Sequence, residues 1–354
     1  MTALSATTAP AEGIGHDRAV GLWLLACAVM ILAMAVIGAV TRLTGSGLSI
    51  MEWAPISGAL PPLSQSEWER LFALYRQIPE YQQVNRGMGL DEFKRIFWWE
   101  YIHRLWGRLI GVVFAGPFLW FLVRRRLRRG LPPHLLAIFA LGGLQGALGW
   151  FMVASGFIER SDVSQYRLVA HLVAATIIYA YVLWVAFVVL LPDPPMSPDT
   201  RTRSLRRLMA GFAGLIGLTI ASGGFVAGLD AGFIYNTFPL MDGRLVPADY
   251  AALQPWPLNL FENVAAVQFN HRLLASVTAA GALGLWLWSR RLALTVPARS
   301  VCTLVLAMVG VQFALGVSTL VLVVPVWLGA LHQGCALILL AVALLAVRLL
   351  RPTA

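Results

Sequence analysis

Four of the six histidines, His103, His171, His271 and His332, lie inside long apolar stretches. An ionisable side chain at membrane depth is costly and marks function by default. A single such histidine could be a hydrogen-bonded core residue, but packing does not account for four at matching places. Zinc draws three or four ligands from Cys, His, Asp and Glu. Here each stretch offers one histidine, on helices that approach to about 8–10 Å. That geometry suits a flat macrocycle held between two helices and ligated from both faces, and haem is the candidate. The four are therefore read as two pairs of axial ligands to haem iron, His103 with His171 and His271 with His332. His16, in the N-terminal tail, and His134, at the start of an apolar run, are read as solvated or interfacial.

The surroundings of the pairs fit a macrocycle. Gly107 and Gly111 follow His103, Gly142, Gly146 and Gly149 mark the third apolar run, and Gly310 and Gly316 mark the seventh. A porphyrin needs helix surfaces without side chains, although small-xxx-small helix packing uses the same residues. Arg104 and Arg272 follow their histidines directly. They are candidate partners for haem propionates, which favour a bidentate arginine, and equally candidates for snorkelling to the interface. Trp98, Trp99 and Trp106 read as an interfacial aromatic belt.

The histidines are paired by an internal repeat. Glu100-Tyr101-Ile102-His103-Arg104-Leu105 is matched by Gln268-Phe269-Asn270-His271-Arg272-Leu273, 168 residues later. Gln145-Gly146-Ala147-Leu148-Gly149 is matched by Gln312-Phe313-Ala314-Leu315-Gly316, and Ala170-His171-Leu172 by Leu331-His332-Gln333. The run from Gly38 to Leu43 aligns with Gly224 to Leu229.

The elements that carry these residues follow from composition. The 354 residues are 58% hydrophobic and only 12% charged, with a mean hydropathy of +0.73, against about 25% charged in a soluble domain. That excludes a soluble protein, a disordered chain and a disulfide scaffold. The net charge of +10 does not indicate nucleic acid, because the arginines fall between apolar runs. About 20 apolar residues cross a bilayer, and eight segments qualify: 20–40, 101–123, 134–157, 168–190, 208–229, 264–288, 299–322 and 326–347. Arg124, Arg125, Arg126, Arg128 and Arg129 follow the second, and Arg201, Arg203, Arg206 and Arg207 the fourth. Arg290 and Arg291 follow the sixth, and Arg348 and Arg351 the eighth. The positive-inside rule puts these gaps and both termini in the cytoplasm. The expected fold is an all-α integral membrane protein. Its eight transmembrane helices form two pseudo-symmetric four-helix bundles in parallel repeat, because four spans per half preserve orientation.

The expected organisation runs from a disordered tail, 1–19, to an N-terminal half, 20–190, with a long outer loop, 41–100. A cytoplasmic linker, 191–207, leads to a C-terminal half, 208–347, and a short tail, 348–354. Every histidine-bearing span enters from the outer face, so the haem sites lie toward the extracytoplasmic side. Within the long loop, Ser64 and Ser66 precede Glu67 and Glu69 at capping-box spacing, opening a helix at 68–77. A second amphipathic stretch runs from Asp91 into the second span, and 230–263 forms the corresponding loop of the other half. Cys27, Cys302 and Cys335 all sit in apolar runs as small core residues.

The halves differ where it matters. Glu100 lies one helical turn before His103, and its counterpart before His271 is Gln268. A carboxylate near a haem edge can relay protons or stabilise a developing cation, and an amide cannot titrate. Glu100 is thus the catalytic candidate, the first half holding a reactive or substrate haem and the second a resident electron-transfer haem. A di-haem b-type membrane cytochrome and a haem carrier remain alternatives.

The run Gly38-Ala39-Val40-Thr41-Arg42-Leu43-Thr44-Gly45-Ser46-Gly47-Leu48-Ser49, with Glu52-Trp53, Pro55, Gly58 and Pro61-Pro62, resembles the haem A synthase family. So do Phe97-Trp98-Trp99-Glu100-Tyr101-Ile102-His103-Arg104 and Phe269-Asn270-His271-Arg272. The long first loop is similar to the alphaproteobacterial and mitochondrial branch. The resemblance implies oxidation of the C8 methyl of haem O to a formyl group by successive hydroxylations, supplying haem A to cytochrome c oxidase. It implies haem b as cofactor at His271 and His332, substrate haem O at His103 and His171, and an essential glutamate at Glu100. It further implies a bacterial inner membrane location, an electron donor, and neighbours such as haem O synthase and oxidase assembly factors. The glycine-rich helices allow homo-oligomers. Some members carry a cysteine pair in the outer loops; this chain has none there.

Overall fold

The computed structural model describes residues 12–54, 57–157, 161–191 and 200–350. Pro55, Arg351, the first eleven residues and residues 192–199 of the expected linker lie outside them. Ten α-helices fill the described residues: α1 (Glu12–Leu43), α2 (Gln65–Tyr75), α3 (Pro79–Gln83), α4 (Leu90–Val123), α5 (Leu131–Val153), α6 (Gln165–Leu190), α7 (Thr200–Gly228), α8 (Val264–Ser289), α9 (Val296–Val321) and α10 (Val326–Leu349). The eight long ones coincide with the eight expected segments, mostly with a few extra residues where capping outlasts the apolar run. The helix starts at Glu12, so 12–19 is the first turns of α1 rather than irregular tail. Arg201, Arg203, Arg206 and Arg207 likewise belong to the opening turns of α7 and not to a linker.

Seven of these helices are long and apolar enough to cross a membrane. The exception is α8, the expected sixth span, which has the length but carries Gln268, Asn270, His271 and Arg272 in its first turns. The seven mark a multi-pass membrane protein. Large apolar side chains such as Leu136, Phe139, Leu144 and Phe151 on α5 are exposed, as lipid-facing residues are and soluble surfaces are not.

Each run of four long helices closes a ring. In the first, α1 packs on α4 and α6, and α5 on α4 and α6; in the second, α7 packs on α8 and α10, and α9 on α8 and α10. The rings meet through α1, α6, α7 and α10. The main core lies at that seam, where Val182, Ala186, Leu205, Met209, Ala343 and Ala346 are buried. Arginines gather at one end of the seam: Arg206 Nε donates to the Val347 carbonyl at 3.2 Å, and Arg348 to the Leu191 carbonyl.

The outer loop builds its own core. At 1.5 Å per residue α4 is about 50 Å long, well beyond a bilayer core of about 30 Å, so its first turns stand clear as a wall. Glu92 accepts from the Gly89 amide to open that helix, and Ser64 caps α2 by accepting from the Glu67 amide. Leu48, Leu71, Tyr75, Ile78, Phe93, Phe97 and Tyr101 pack between α2, α3 and α4. The helix over 68–77 therefore starts three residues earlier than expected, and α3 had no expectation at all. Where α1 ends, the Gly45 amide bonds the Arg42 carbonyl and the Ser46 amide that of Thr41. That closure needs the left-handed conformation Gly45 adopts at φ 61°. The turn from α9 into α10 closes the same way, but with valines at φ 59° and 54°, Val323 and Val324.

Candidate functional site

The four histidines sit on α4, α6, α8 and α10, the diagonal members of the two rings. Each ring lies against a glycine of the preceding long helix. A Cβ added at Gly38 would stand 3.1 Å from His103, at Gly149 3.0 Å from His171, at Gly223 3.1 Å from His271, and at Gly316 2.9 Å from His332. Only glycine lets the imidazole lie this close to the neighbouring backbone. These contacts equate Gly38 with Gly223, one residue away from the alignment with Gly224 taken from sequence.

All four histidines are half-buried, because their rings border space that side chains do not fill. Nothing lies within 4 Å of a Cβ built at Gly111, Gly142, Gly146 or Gly310. The His271 and His332 ring centres are 6.5 Å apart. A metal about 2 Å from each of two facing ring nitrogens places the ring centres roughly 6–6.5 Å apart. A neutral histidine binds metal through one nitrogen while the other is hydrogen-bonded. At His271 that partner is Ser222 Oγ, 2.8 Å from Nδ1. Beside His332 and His171 the Gln312 and Gln145 amide nitrogens lie 3.1 and 3.0 Å from Nδ1 and donate to the carbonyls of the same histidines. The donor set, spacing and glycine faces fit a macrocycle ligated on both sides. No group of three or more His, Cys, Asp or Glu that could hold a bare ion occurs among the described residues.

Glu100 is 2% exposed and sits one turn before His103, but its carboxylate faces the outer loop. Oε2 accepts from Ser49 Oγ at 2.7 Å and from the Ile50 amide at 2.8 Å. Oε1 accepts from Arg104 Nε at 3.0 Å and Nη2 at 2.6 Å. Arg104 also donates to the carbonyls of Ile50 and Glu52. Gln268 and Arg272 repeat the clamp with reversed polarity. Gln268 Nε2 donates to the carbonyls of Ala231 and Ile234, its Oε1 accepts from Arg272 at 2.8 Å, and Arg272 holds the carbonyls of Tyr235 and Thr237. Both candidate propionate partners thus grip loops; Arg272 Nε is buried with no partner among the described residues.

The clamped loops roof the two rings at one end. Trp53 meets Trp150 of α5 with ring centres 5.9 Å apart, and Tyr101 donates to the Ala59 carbonyl at 2.7 Å. Over the second ring, Asn236 donates to the Leu320 carbonyl and Phe238 packs on Phe313. A cleft of about 490 Å³ opens between the first roof and α4, bordered by Ile50, Glu52, Tyr101, Arg104 and Arg108. At its edge Arg70 makes a two-point pair with Glu52 at 2.8 Å. The hydrogen bonds from Arg70 hold Glu52 and Glu67 below the ordinary carboxylate range. Deeper in the roof, Glu80 is buried beside Tyr75, whose hydroxyl lies 3.3 Å away. Desolvation first, and then the Glu100 charge, push Glu80 up to about 8.

Trp98 and Trp99 are exposed as an interfacial belt would have them. Trp106 departs from that reading: its indole N–H donates to the Met30 carbonyl of α1 at 2.8 Å, since a buried donor must find a partner. Sequence reading missed Ser222 and the glycines facing His103 and His271. Gln145 and Gln312 stood in the repeat, where a shared amide in an apolar run was the available signal. Cys27 and Cys302 are buried and Cys335 is half-buried, all free thiols within helices.

Comparison with known proteins agrees in one direction. The profile of the cytochrome oxidase assembly protein family (COX15-CtaA) matches residues 21–344. A protein of Rhodospirillum centenum named "Heme A synthase" is 51% identical over 354 residues, spanning 99% of this chain and 94% of its own. One of the same name from Nitrosospira multiformis is 50% identical over 328 residues, 93% and 92% of the two chains. Another, from Granulibacter bethesdensis, is 53% identical over 333 residues, 94% and 87%.

Proposed function

The chain belongs to the family of cytochrome oxidase assembly proteins (COX15-CtaA), and from that premise we propose that it makes haem A from haem O. The reaction is an oxidation of the C8 methyl of haem O to a formyl group, through successive hydroxylations and loss of water. The observation that carries the reading is the doubled His–Gly arrangement beside unfilled space, with a buried carboxylate before one histidine pair and an amide before the other. His103 and His171 hold the substrate haem O, and His271 and His332 hold haem b. A bound haem b supplies one-electron chemistry at its iron.

The residues divide the remaining work. The roof formed by 46–54, 57–63 and α2 covers the first ring and excludes water from the substrate edge. Glu100 and Arg104 hold Ser49, Ile50 and Glu52 in place and keep a fixed carboxylate one turn from His103. Arg272, with its spare buried N–H, is the better placed of the two arginines to meet a propionate.

The membrane layout is part of the same reading. In it α8 is an eighth span, lowered in apolarity only by the site residues it carries, and it packs between α7 and α9 as its counterpart α4 does between α1 and α5. Two four-helix units in parallel repeat, termini in the cytoplasm and roofs outside, agree with the arginine-rich ends of the helices. The bacterial relatives support an inner-membrane location. Haem O synthase, oxidase assembly factors, an electron donor and a second copy of the chain belong to this reading as neighbours.

The test is extraction and chromatography of the haems from protein purified out of a host that makes haem O. Haem b together with haem A, or with hydroxylated haem O, is expected. Haem b alone at two per chain would replace the proposal with a di-haem electron-transfer cytochrome.

A further inference from the structure

His103 and His271 hold matching places, each one turn after the buried clamp residue and each against a glycine of the preceding long helix. Their second nitrogens do not match. Ser222 Oγ stands 2.8 Å from His271 Nδ1 and 2.8 Å from the Thr219 carbonyl. A carbonyl can only accept, so the one hydroxyl proton of Ser222 goes to Thr219. The Ser222 oxygen must then accept from His271. Nδ1 carries the hydrogen, and Nε2 keeps its lone pair free for a metal.

Around His103 that partner is missing: among the described residues no hydrogen bond reaches its ring. The register set by Gly38 and Gly223 puts Ile37 where Ser222 stands, and Met34 where Thr219 stands. The second site has hydroxyls on this wall, Thr219 and Thr278 lying 3.1 Å apart. In the first site Met34 approaches to 3.4 Å of a Cβ built at Gly107. The other histidine of each pair has a glutamine amide nitrogen beside it, Gln145 at 3.0 Å from Nδ1 and 3.4 Å from Nε2 of His171, and Gln312 at 3.1 Å from Nδ1 of His332. A side-chain hydroxyl on a histidine ring is thus present at His271 and, among the described residues, missing at His103.

We propose that Ser222 is a positioning residue that fixes His271 as a permanent axial ligand, and that Ile37 in its place leaves His103 a weakly held ligand at an exchanging site. This rests on the assignment of haem b to the second ring and haem O to the first. An acceptor on the second nitrogen orients the ring and raises its basicity, and losing it costs about 10–100-fold in metal affinity. A substrate site has to release its product on every cycle, whereas a cofactor site does not. The same fold therefore needs a weaker ligand on one side and a stronger one on the other, and one side chain per site supplies the difference.

The experiment uses the full chain in detergent, with haem b as the probe and an apo-globin trap to read its release. Ser222→Ala should release haem b about 10–100-fold faster than the wild type. Its midpoint potential should rise as the imidazole becomes less basic, and Ser222→Thr should restore both. Ile37→Ser should slow haem release from the first site. Unchanged release and potential in Ser222→Ala would overturn the proposal, as would a changed release that Ser222→Thr fails to restore. His271→Ala should abolish the retained haem. If retained haem instead survives His271→Ala and is lost in His103→Ala, the assignment of the two sites is what has failed, whatever Ser222→Ala does.

Discussion

Replacing Glu100 by Gln gives the first ring the side chain of the second, and the geometry sets the size of the effect. The carboxylate accepts four hydrogen bonds, from Ser49, Ile50 and twice from Arg104. An amide has one acceptor end. If that end stays with Arg104, its NH₂ confronts the Ile50 amide. Ser49 can turn its hydroxyl to the Ser46 carbonyl, 3.1 Å away, but a backbone N–H cannot turn. One buried donor left without an acceptor costs about 1–3 kcal/mol. Removing one partner of a buried ion pair costs about 3–5 kcal/mol. Arg104 keeps two carbonyls and a side chain 19% exposed, so the lower end applies. Both costs arise from the same lost carboxylate oxygen and overlap, so the lower end of the ion-pair cost, about 3 kcal/mol, is taken for the two together; it is about two decades in the ratio of closed to open roof. Hydrogen exchange of the Ile50 amide should therefore accelerate about 100-fold in Glu100→Gln. Conversion of haem O should fall by a similar factor, and haem b retained at His271 and His332 should be unchanged. Lost conversion with an unchanged Ile50 amide would refute the reasoning, because Glu100 would then act on the substrate and not through the roof. Conversion at the wild-type rate would remove Glu100 from the reaction altogether.

Glu80 gives the roof a pH dependence. Its carboxyl is pushed from 4.5 up to about 8. Within that window the unfolded chain has lost the proton and the folded one keeps it, so stability falls as pH rises and levels off above about 8. At about 1.4 kcal/mol per pH unit, halved for the water that reaches a loop, the loss is about 2 kcal/mol. Thermal unfolding from pH 5 to 9 should show it, and Glu80→Gln should flatten the curve; parallel curves would contradict the burial argument. Gly316→Ala places a methyl 2.9 Å from His332, and Gly149→Ala one 3.0 Å from His171. Each should lower occupancy of its own ring at least tenfold in a haem titration and leave the other ring intact. Val323→Gly relieves a β-branched residue at φ 59° and should raise stability by about 1 kcal/mol in chemical or thermal unfolding.

The helices were legible because lipid imposes its own period. A run of about 20 apolar residues has one folded solution in a bilayer, and seven of the long helices here are long and apolar enough to be that solution. What blurred the sixth was the site itself, since Gln268, Asn270, His271 and Arg272 remove apolarity from the helix that must carry them. The histidines were legible for the opposite reason: a titratable group stands out against an apolar run. Their partners were not. Gly38 and Gly223 look like any small residue in a membrane helix until a ring is seen lying on them. Ser222 is one hydroxyl among several that bond back to their own helix. The roof over 46–54 and 57–100 was harder still. Its order comes from packing Tyr75, Phe93 and Phe97 together and from the clamp at Glu100, contacts between residues up to about fifty positions apart that no local period announces.

The repeat also shows why a carboxylate and an amide can hold equivalent places without being interchangeable. Each clamp residue is buried and bonded to an arginine one turn later, and each ties a loop down over its ring. The loops present opposite chemistry. The first offers donors, the Ser49 hydroxyl and the Ile50 amide; the second offers acceptors, the carbonyls of Ala231 and Ile234. A carboxylate satisfies the first and would repel the second, and an amide suits the second while orphaning a donor in the first. Clamp and loop had to change together, which is more than drift at a single buried position would produce. The charge difference beside His103 and the missing hydroxyl partner on His103 fall on the same ring and on the same histidine. One ring is built around a buried carboxylate with no hydroxyl on its first histidine among the described residues, the other around a neutral clamp and a hydroxyl on its histidine; under the proposed assignment that division separates a site of turnover from a site of residence.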